Sequence, residues 1–264
     1  MEFSAFYFIF AFILFANNTH AQVSGYLGKR AWVNLSVPIG LQLPDLSDLY
    51  EEVPAARIYL RPGLSASYLV SENVDLGISY QRSSVKGYNI RISDQRDFNS
   101  AYYYGNMAIK SNMFSFFVEF HNKGSFGSLP PLGKFYRFEI LLARGKPVYS
   151  EASTPFSFSP LFSLSDFPGA EDFSYSLPEL LYTLGTRTIF FEGLVFEYGA
   201  QLGIPLSGAG WYSMINYANG ERNLYTDYAN DPEDAQEQFA NLMRGYVVRS
   251  MIMNFHLSIG YLAF

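Results

Sequence analysis

At 264 residues, 49% of them hydrophobic, the chain is long enough for one domain with a substantial core or one barrel with long loops. A formal net charge of −6, with no basic cluster longer than Lys29-Arg30, argues against a nucleic-acid partner, and zero Cys excludes disulfides, thiolate metal sites and Cys nucleophiles. The 25 Phe and 21 Tyr against 2 Trp suit strands with a broad apolar surface whose ends meet an interface.

The first element, residues 3–16, is nearly all apolar and leads into Asn17-Asn18-Thr19-His20-Ala21, with small residues where a signal peptidase cuts. It reads as a signal peptide, residues 1–21, although Glu2 and the lack of Lys or Arg depart from the usual basic start. The alternative, a retained transmembrane helix, needs roughly 20 apolar residues, more than this run offers. No later run approaches the roughly 18 consecutive apolar residues of a spanning helix, so any further span must be β. The expected organisation is a signal peptide at 1–21 and one barrel domain at 22–264.

Alternation then sets the strands in order. Ala31, Val33 and Leu35 mark a strand at 25–37. In the second, at 57–70, Ile58, Leu60, Leu64, Ala66 and Tyr68 oppose Arg57, Arg61, Ser65 and Ser67, with Pro62 as a departure because proline cannot donate to a ladder. Val74, Leu76, Ile78 and Tyr80 define 74–83. Phe114, Phe116, Val118 and Phe120 define 107–121; Tyr136, Phe138, Ile140 and Leu142 define 134–146; Tyr182, Leu184 and Phe190 define 179–191. Every even position from Leu194 to Leu206 is apolar, long enough for a membrane crossing, which takes about 9 to 11 tilted residues. The last strand, 245–264, alternates Met251, Met253, Phe255, Leu257, Ile259 and Tyr261 with Asn254, His256, Ser258 and Gly260.

The connections alternate long and short: 38–56, 84–106, 147–178 and 207–244 are long, while 71–73, 122–133 and 192–193 are shorter. This layout predicts an all-β fold, an antiparallel up-and-down transmembrane β-barrel of about eight strands with both termini in the periplasm. Asp231-Pro232-Glu233-Asp234 supplies an N-cap, a proline at the first helical position and early acids, so a short helix at 232–243 is expected in the last extracellular loop. Its apolar stripe, Ala235, Phe239, Leu242 and Met243, either rests on the barrel mouth or meets a partner. The third long loop carries Phe156, Phe158, Phe162, Phe167 and Phe173, which either fold over the mouth, contact lipopolysaccharide or meet a partner. Asp227, Asp231, Glu233 and Asp234 show no ordered Ca²⁺ ligand pattern.

The chain ends on an aromatic, Phe264, like the assembly signal of bacterial outer-membrane proteins. Phe264 and Leu262 fall on the opposite parity from Tyr261, which predicts a bulge near the end or a degenerate signal. Together with Gly25-Tyr26-Leu27-Gly28-Lys29-Arg30 and the Phe190-Phe191 hairpin followed by Tyr198-Gly199, the mature chain resembles the small outer-membrane β-barrel proteins of Bacteroidota. That resemblance implies the fold and an outer-membrane location reached through the barrel assembly machinery; it implies no defined activity.

The polar face of the strands predicts a lumen holding Arg57, Arg61, Arg137 and Arg187 against Asp75, Glu119, Glu139 and Glu197. An eight-stranded barrel has an interior just wide enough for side chains, so this balanced set reads as a plug of paired charges; the alternative is a narrow gated solute path. His121 and His256 also face the lumen, and Glu119 shares a face with His121, so a His–carboxylate pair is geometrically open. No nucleophile motif accompanies them, and no catalytic, cofactor or metal site is expected. The expected role is structural or surface-interacting, with lipid, lipopolysaccharide and a protein met through the long loops as partners. The alternatives are a barrel transporting or binding a small solute or lipophilic ligand, a surface enzyme, and a soluble lipocalin-like barrel with its apolar face inside. On this face assignment, Arg at Leu202 should disrupt more than Arg at Gln201, which can seek Glu197.

Overall fold

The computed structural model describes residues 30–42, 57–96, 99–122, 132–150, 161–190, 193–216, 223–226 and 231–263. Its strands are β1 (Ala31–Ser36), β2 (Ile39–Gln42), β3 (Arg57–Leu60), β4 (Gly63–Ser71), β5 (Val74–Arg96), β6 (Asn99–His121), β7 (Gly133–Ser150), β8 (Leu161–Ser163), β9 (Tyr175–Phe190), β10 (Leu194–Pro205), β11 (Asn223–Thr226) and β12 (Met253–Ala263). Two helices, α1 (Gly208–Asn216) and α2 (Pro232–Met251), and a 3-10 turn at Leu164–Asp166 complete the described elements. The signal segment, Gly25 to Lys29, Phe156, Phe158, Phe191, Asp227, Phe264 and the side chain of Arg57 lie outside the described residues.

Eight of the described strands close a ring. β1, β4, β5, β6, β7, β9, β10 and β12 pair antiparallel in that order, and β12 returns to β1 from Ala31↔Ala263 to Ser36↔Ser258. The fold is therefore all-β, an up-and-down barrel. Period-two sequence dictates which side chains share a face, because successive side chains of a strand point to opposite sides. Val33, Leu35, Leu64, Ile78, Phe116, Ile140, Leu202 and Ile259 are exposed, while Asn34, Ser65, Ser79, Glu119, Arg137, Gln201 and Ser258 between them are buried. The apolar face is outside, the reverse of a lipocalin-like barrel.

Several boundaries differ from those predicted. The second strand divides into β3 and β4 at Arg61-Pro62, where the missing proline N–H ends the ladder, and β2 extends β1 beyond Val37-Pro38 in the same way. Residues 84–106, predicted as a loop, mostly continue β5 and β6 as a paired hairpin whose register shifts between Gly87 and Ile90. β11 pairs parallel with β5 and β8 parallel with β6, covering the edges of this extension. β9 starts at Tyr175, four residues before the predicted 179.

The largest correction concerns α2. Asp231 caps it as expected, its side chain accepting from the Asp234 N–H at 3.0 Å, with Pro232 at the start. The helix continues to Met251, however, so the final strand begins at Met253 and not at 245. Val247, Ser250 and Met251 extend the face begun by Phe239 and Met243 at helical spacing, and packing overrides the strand preference of Val247-Val248. Of the two readings of the C-terminal parity, a bulge or a degenerate signal, the bulge is absent among the described residues: β1 and β12 pair without a register shift, and Leu262 turns inward.

Three layers fill the barrel. At the short-turn end, Trp32, Leu69, Val195 and Leu262 form an apolar floor. Polar and charged side chains lie above it. At the long-loop end the inward positions become apolar again, and Val85, Met107, Ile109, Leu141 and Leu177 pack with Phe239, Met243 and Met251 of α2. Phe167 and Phe173 fold into this upper core, Phe173 stacking on Phe239 with ring centroids 4.3 Å apart. The helix is thus inserted in the mouth.

Candidate functional site

The charged layer is built by the inward side chains of five strands. Asp75 of β5 pairs with Glu119 of β6 and Glu119 with Arg137 of β7, while Arg187 of β9 pairs with Glu197 of β10; β7 pairs Arg137 with Thr183 of β9, and the two sets of charges meet through their side chains in the interior. All five side chains are at most 3% exposed. Arg187 spans the group, with Nε 2.6 Å from Glu197 Oε1, Nη2 2.5 Å from Glu119 Oε1 and Nη1 3.5 Å from Asp75 Oδ2. Arg137 closes it from the other side, Nη2 lying 2.7 Å from Glu119 Oε2 and 3.1 Å from Glu197 Oε2.

Both histidines join this layer. His121 Nε2 contacts Asp75 Oδ2 directly and lies 3.3 Å from Glu119 Oε1, while His256 Nε2 is 3.4 Å from Glu197 Oε2. Asn34 donates to Glu197 Oε1 at 3.0 Å. Aromatic faces complete the packing: the Arg187 guanidinium is 4.5 Å from the Trp32 ring centroid, and that of Arg137 is 4.5 Å from Phe117 and 5.1 Å from Phe135. Two glycines make room for these rings, since a Cβ at Gly77 would fall within the Phe117 ring and one at Gly185 within the Phe135 ring.

No protein-family model matches the chain, and no curated protein matches it either. Among solved structures, the N-terminal β-barrel domain of Pseudomonas aeruginosa OprF is similar at 11% identity and a TM-score of 0.32, over 88% of this chain and 98% of that one.

The predicted eight lumen residues do not form one cluster. Asp75, Glu119, Arg137, Arg187 and Glu197 meet as described. Arg61 lies higher, donating to Gln201 Oε1 at 2.7 Å and contacting Met251 Sδ at 3.1 Å, within electrostatic reach of Glu139 and Glu179. Glu139 accepts from Ser79 at 3.2 Å. The sequence reading omitted Glu179, Asn34 and Trp32, although all three sit on the inward parity of their strands. Gln201 also differs from expectation, because its neighbour is Arg61 and its Nε2 donates to Thr183 at 3.1 Å. An added cation there would meet a cation.

Asp75, Glu119 and His121 bring three ligand atoms within 4.8 Å of one another. A metal ion among them would have to displace Arg187, whose guanidinium already compensates both carboxylates. The chemical capacity of the layer is electrostatic locking: three acids held by two fixed cations and two imidazoles between apolar plugs.

Proposed function

We propose that the protein is an integral outer-membrane barrel with a structural or surface-interaction role, exported through the segment at 1–21 and closed to solutes. The observation that carries this reading is the exposed apolar face on each strand of the ring, opposed to a buried polar and charged interior. In water such a surface would be an aggregation hazard; in a bilayer it is the required one, because a closed barrel satisfies every backbone group internally. The short turns and both ends of the described ring face the periplasm, and the extended β5–β6 hairpin, α1 and the start of α2 face the exterior.

The three layers of the lumen support closure. A solute would have to pass the Trp32–Leu69–Val195–Leu262 floor, the ion-pair layer and the α2 plug. Lipid, lipopolysaccharide and the barrel assembly machinery are the proposed partners, with a protein partner engaged through the surface loops.

Two measurements test this. Cell fractionation with detergent extraction should recover the chain with the outer membrane; recovery in the soluble periplasmic fraction would end the reading. In planar bilayers the purified protein should give no steady conductance. A stable conductance abolished by altering Arg61 or Glu139 would favour a transport role.

A further inference from the structure

Above the apolar belt, one sector of the outer wall changes character within a single step of the alternation. The row Tyr80↔Phe114↔Leu142 on β5, β6 and β7 is apolar, with the Tyr80 and Phe114 rings 4.8 Å apart. The next row is Arg82↔Asn112↔Arg144 and the one after it Ser84↔Lys110↔Lys146; the row beyond is Lys86↔Ala108↔Val148, with Val148 exposed. All five basic side chains are exposed. No Asp or Glu occupies an outward position of the ladder from Val74 to Lys86, Ala108 to Phe120 or Lys134 to Ser150. In a chain with more acids than bases, Arg82, Lys110, Arg144 and Lys146 stand together on one face with no carboxylate on the outward ladder beside them, a locally positive field.

We infer that this sector binds a phosphorylated lipid of the outer leaflet, its acyl chains against Tyr80, Phe114 and Leu142 and its phosphate groups among Arg82, Lys110, Arg144 and Lys146. The inference rests on the membrane reading above. Neighbouring strands lie about 4.8 Å apart and alternate residues about 6.8 Å along a strand, so the four heads ring an area roughly 10 Å across, the scale of a headgroup with its phosphates. Two further observations point the same way. Arg82 is oriented by its Nε donating to the Tyr80 hydroxyl at 2.8 Å, and that hydroxyl donates to Asn112 at 2.8 Å, fixing a donor row at the boundary. Lys134, at the other end of β7, stands alone below Tyr136 on the outward ladder of these three strands, so the basic residues are concentrated at the long-loop rim. A polar rim without a ligand would need no such one-sided distribution. Lipid is the occupant because the patch is continuous with the apolar wall, which a free anion would not use.

The test uses the full-length protein in an uncharged detergent, titrated with diphosphorylated lipid A and with its dephosphorylated form, bound lipid being counted by native mass spectrometry. The wild type should bind the phosphorylated form at least about tenfold more tightly, with added salt narrowing the gap. Replacing Arg82, Lys110, Arg144 and Lys146 by Gln should abolish the preference, whereas Lys134→Gln should retain it. An unaltered urea-unfolding transition of the fourfold variant confirms that it folds. If the folded variant keeps the preference, or if inorganic phosphate binds the patch as well as the lipid does, the inference is overturned. Membrane fractionation of the same proteins separates the cases: recovery in the soluble fraction removes the outer-membrane reading, while membrane recovery with unchanged lipid preference removes this site alone.

Discussion

Asp75 and Glu119 are direct cross-strand partners, two carboxylates side by side in the barrel interior. Like charges so placed destabilise a sheet, and burial makes the repulsion stronger. The pair stands because Arg187 reaches both acids, Arg137 takes the far side of Glu119 and His121 contacts Asp75.

Arg187→Ala should therefore cost more than any single acid change. It leaves Asp75, Glu119 and Glu197 short of a cation, and removing one partner of a buried ion pair costs about 3–5 kcal/mol. Urea unfolding in lipid vesicles measures this. Adding Glu197→Gln to Arg187→Ala should restore part of the loss; if the two costs simply add, Arg187 does not act through these acids.

At Gly185, Ala should cost about 1–3 kcal/mol, because its Cβ would enter the Phe135 ring and force that ring off Arg137. Pairing Gly185→Ala with Phe135→Leu removes the clash and should recover stability. Wild-type stability for Gly185→Ala alone would mean that Phe135 does not lie across the strand.

Leu202→Arg places a cation on the outer face and should cost about 2–4 kcal/mol if that face meets lipid. Gln201→Arg should also destabilise, by setting a second cation beside Arg61, and Gln201→Glu should be better tolerated because it offers Arg61 a counter-charge. Comparison of the three by urea titration decides whether Arg61 is the partner; equal effects of Glu and Arg at 201 would exclude it.

Phe239→Ala should loosen the upper plug at a cost of about 3–5 kcal/mol, since the ring stacks on Phe173 within the core between α2 and the strands. Steady single-channel activity is not expected from this variant, because the ion-pair layer and the floor lie below. Channel opening in Phe239→Ala alone would show that α2 is the sole barrier.

An epitope near Asn219-Gly220, between α1 and β11, should be labelled on intact cells. One at Ser71-Glu72-Asn73, in the turn between β4 and β5, should be reached only after the membrane is breached. The opposite pattern would invert the barrel.

How much of this the sequence held depends on the kind of feature. Parity was local information: the alternation of Leu194 to Leu206 or of Met253 to Tyr261 states which side chains share a face, and the ring agrees strand by strand. The cap at Asp231 was equally legible, because a capping side chain acts within its own turn. The extent of α2 was not. Residues 245–251 carry β-branched valines and end in an alternating run, and they become helix because the upper lumen offers an apolar socket made by Val85, Ile109, Leu141 and Leu177 from four strands. Runs such as Ile140-Leu141-Leu142-Ala143, apolar on both parities, were the one sequence sign of that socket. Charge pairing was the other limit. Sequence placed Asp75, Glu119, Arg137, Arg187 and Glu197 on the inward face, but periodicity carries no height, and only the pairing of β5 through β10 in the closed ring brings those five side chains together while leaving Arg61 beside Gln201 and Met251. Face is a property of one strand; level is a property of how strands are paired, and pairing exists only once the barrel has closed.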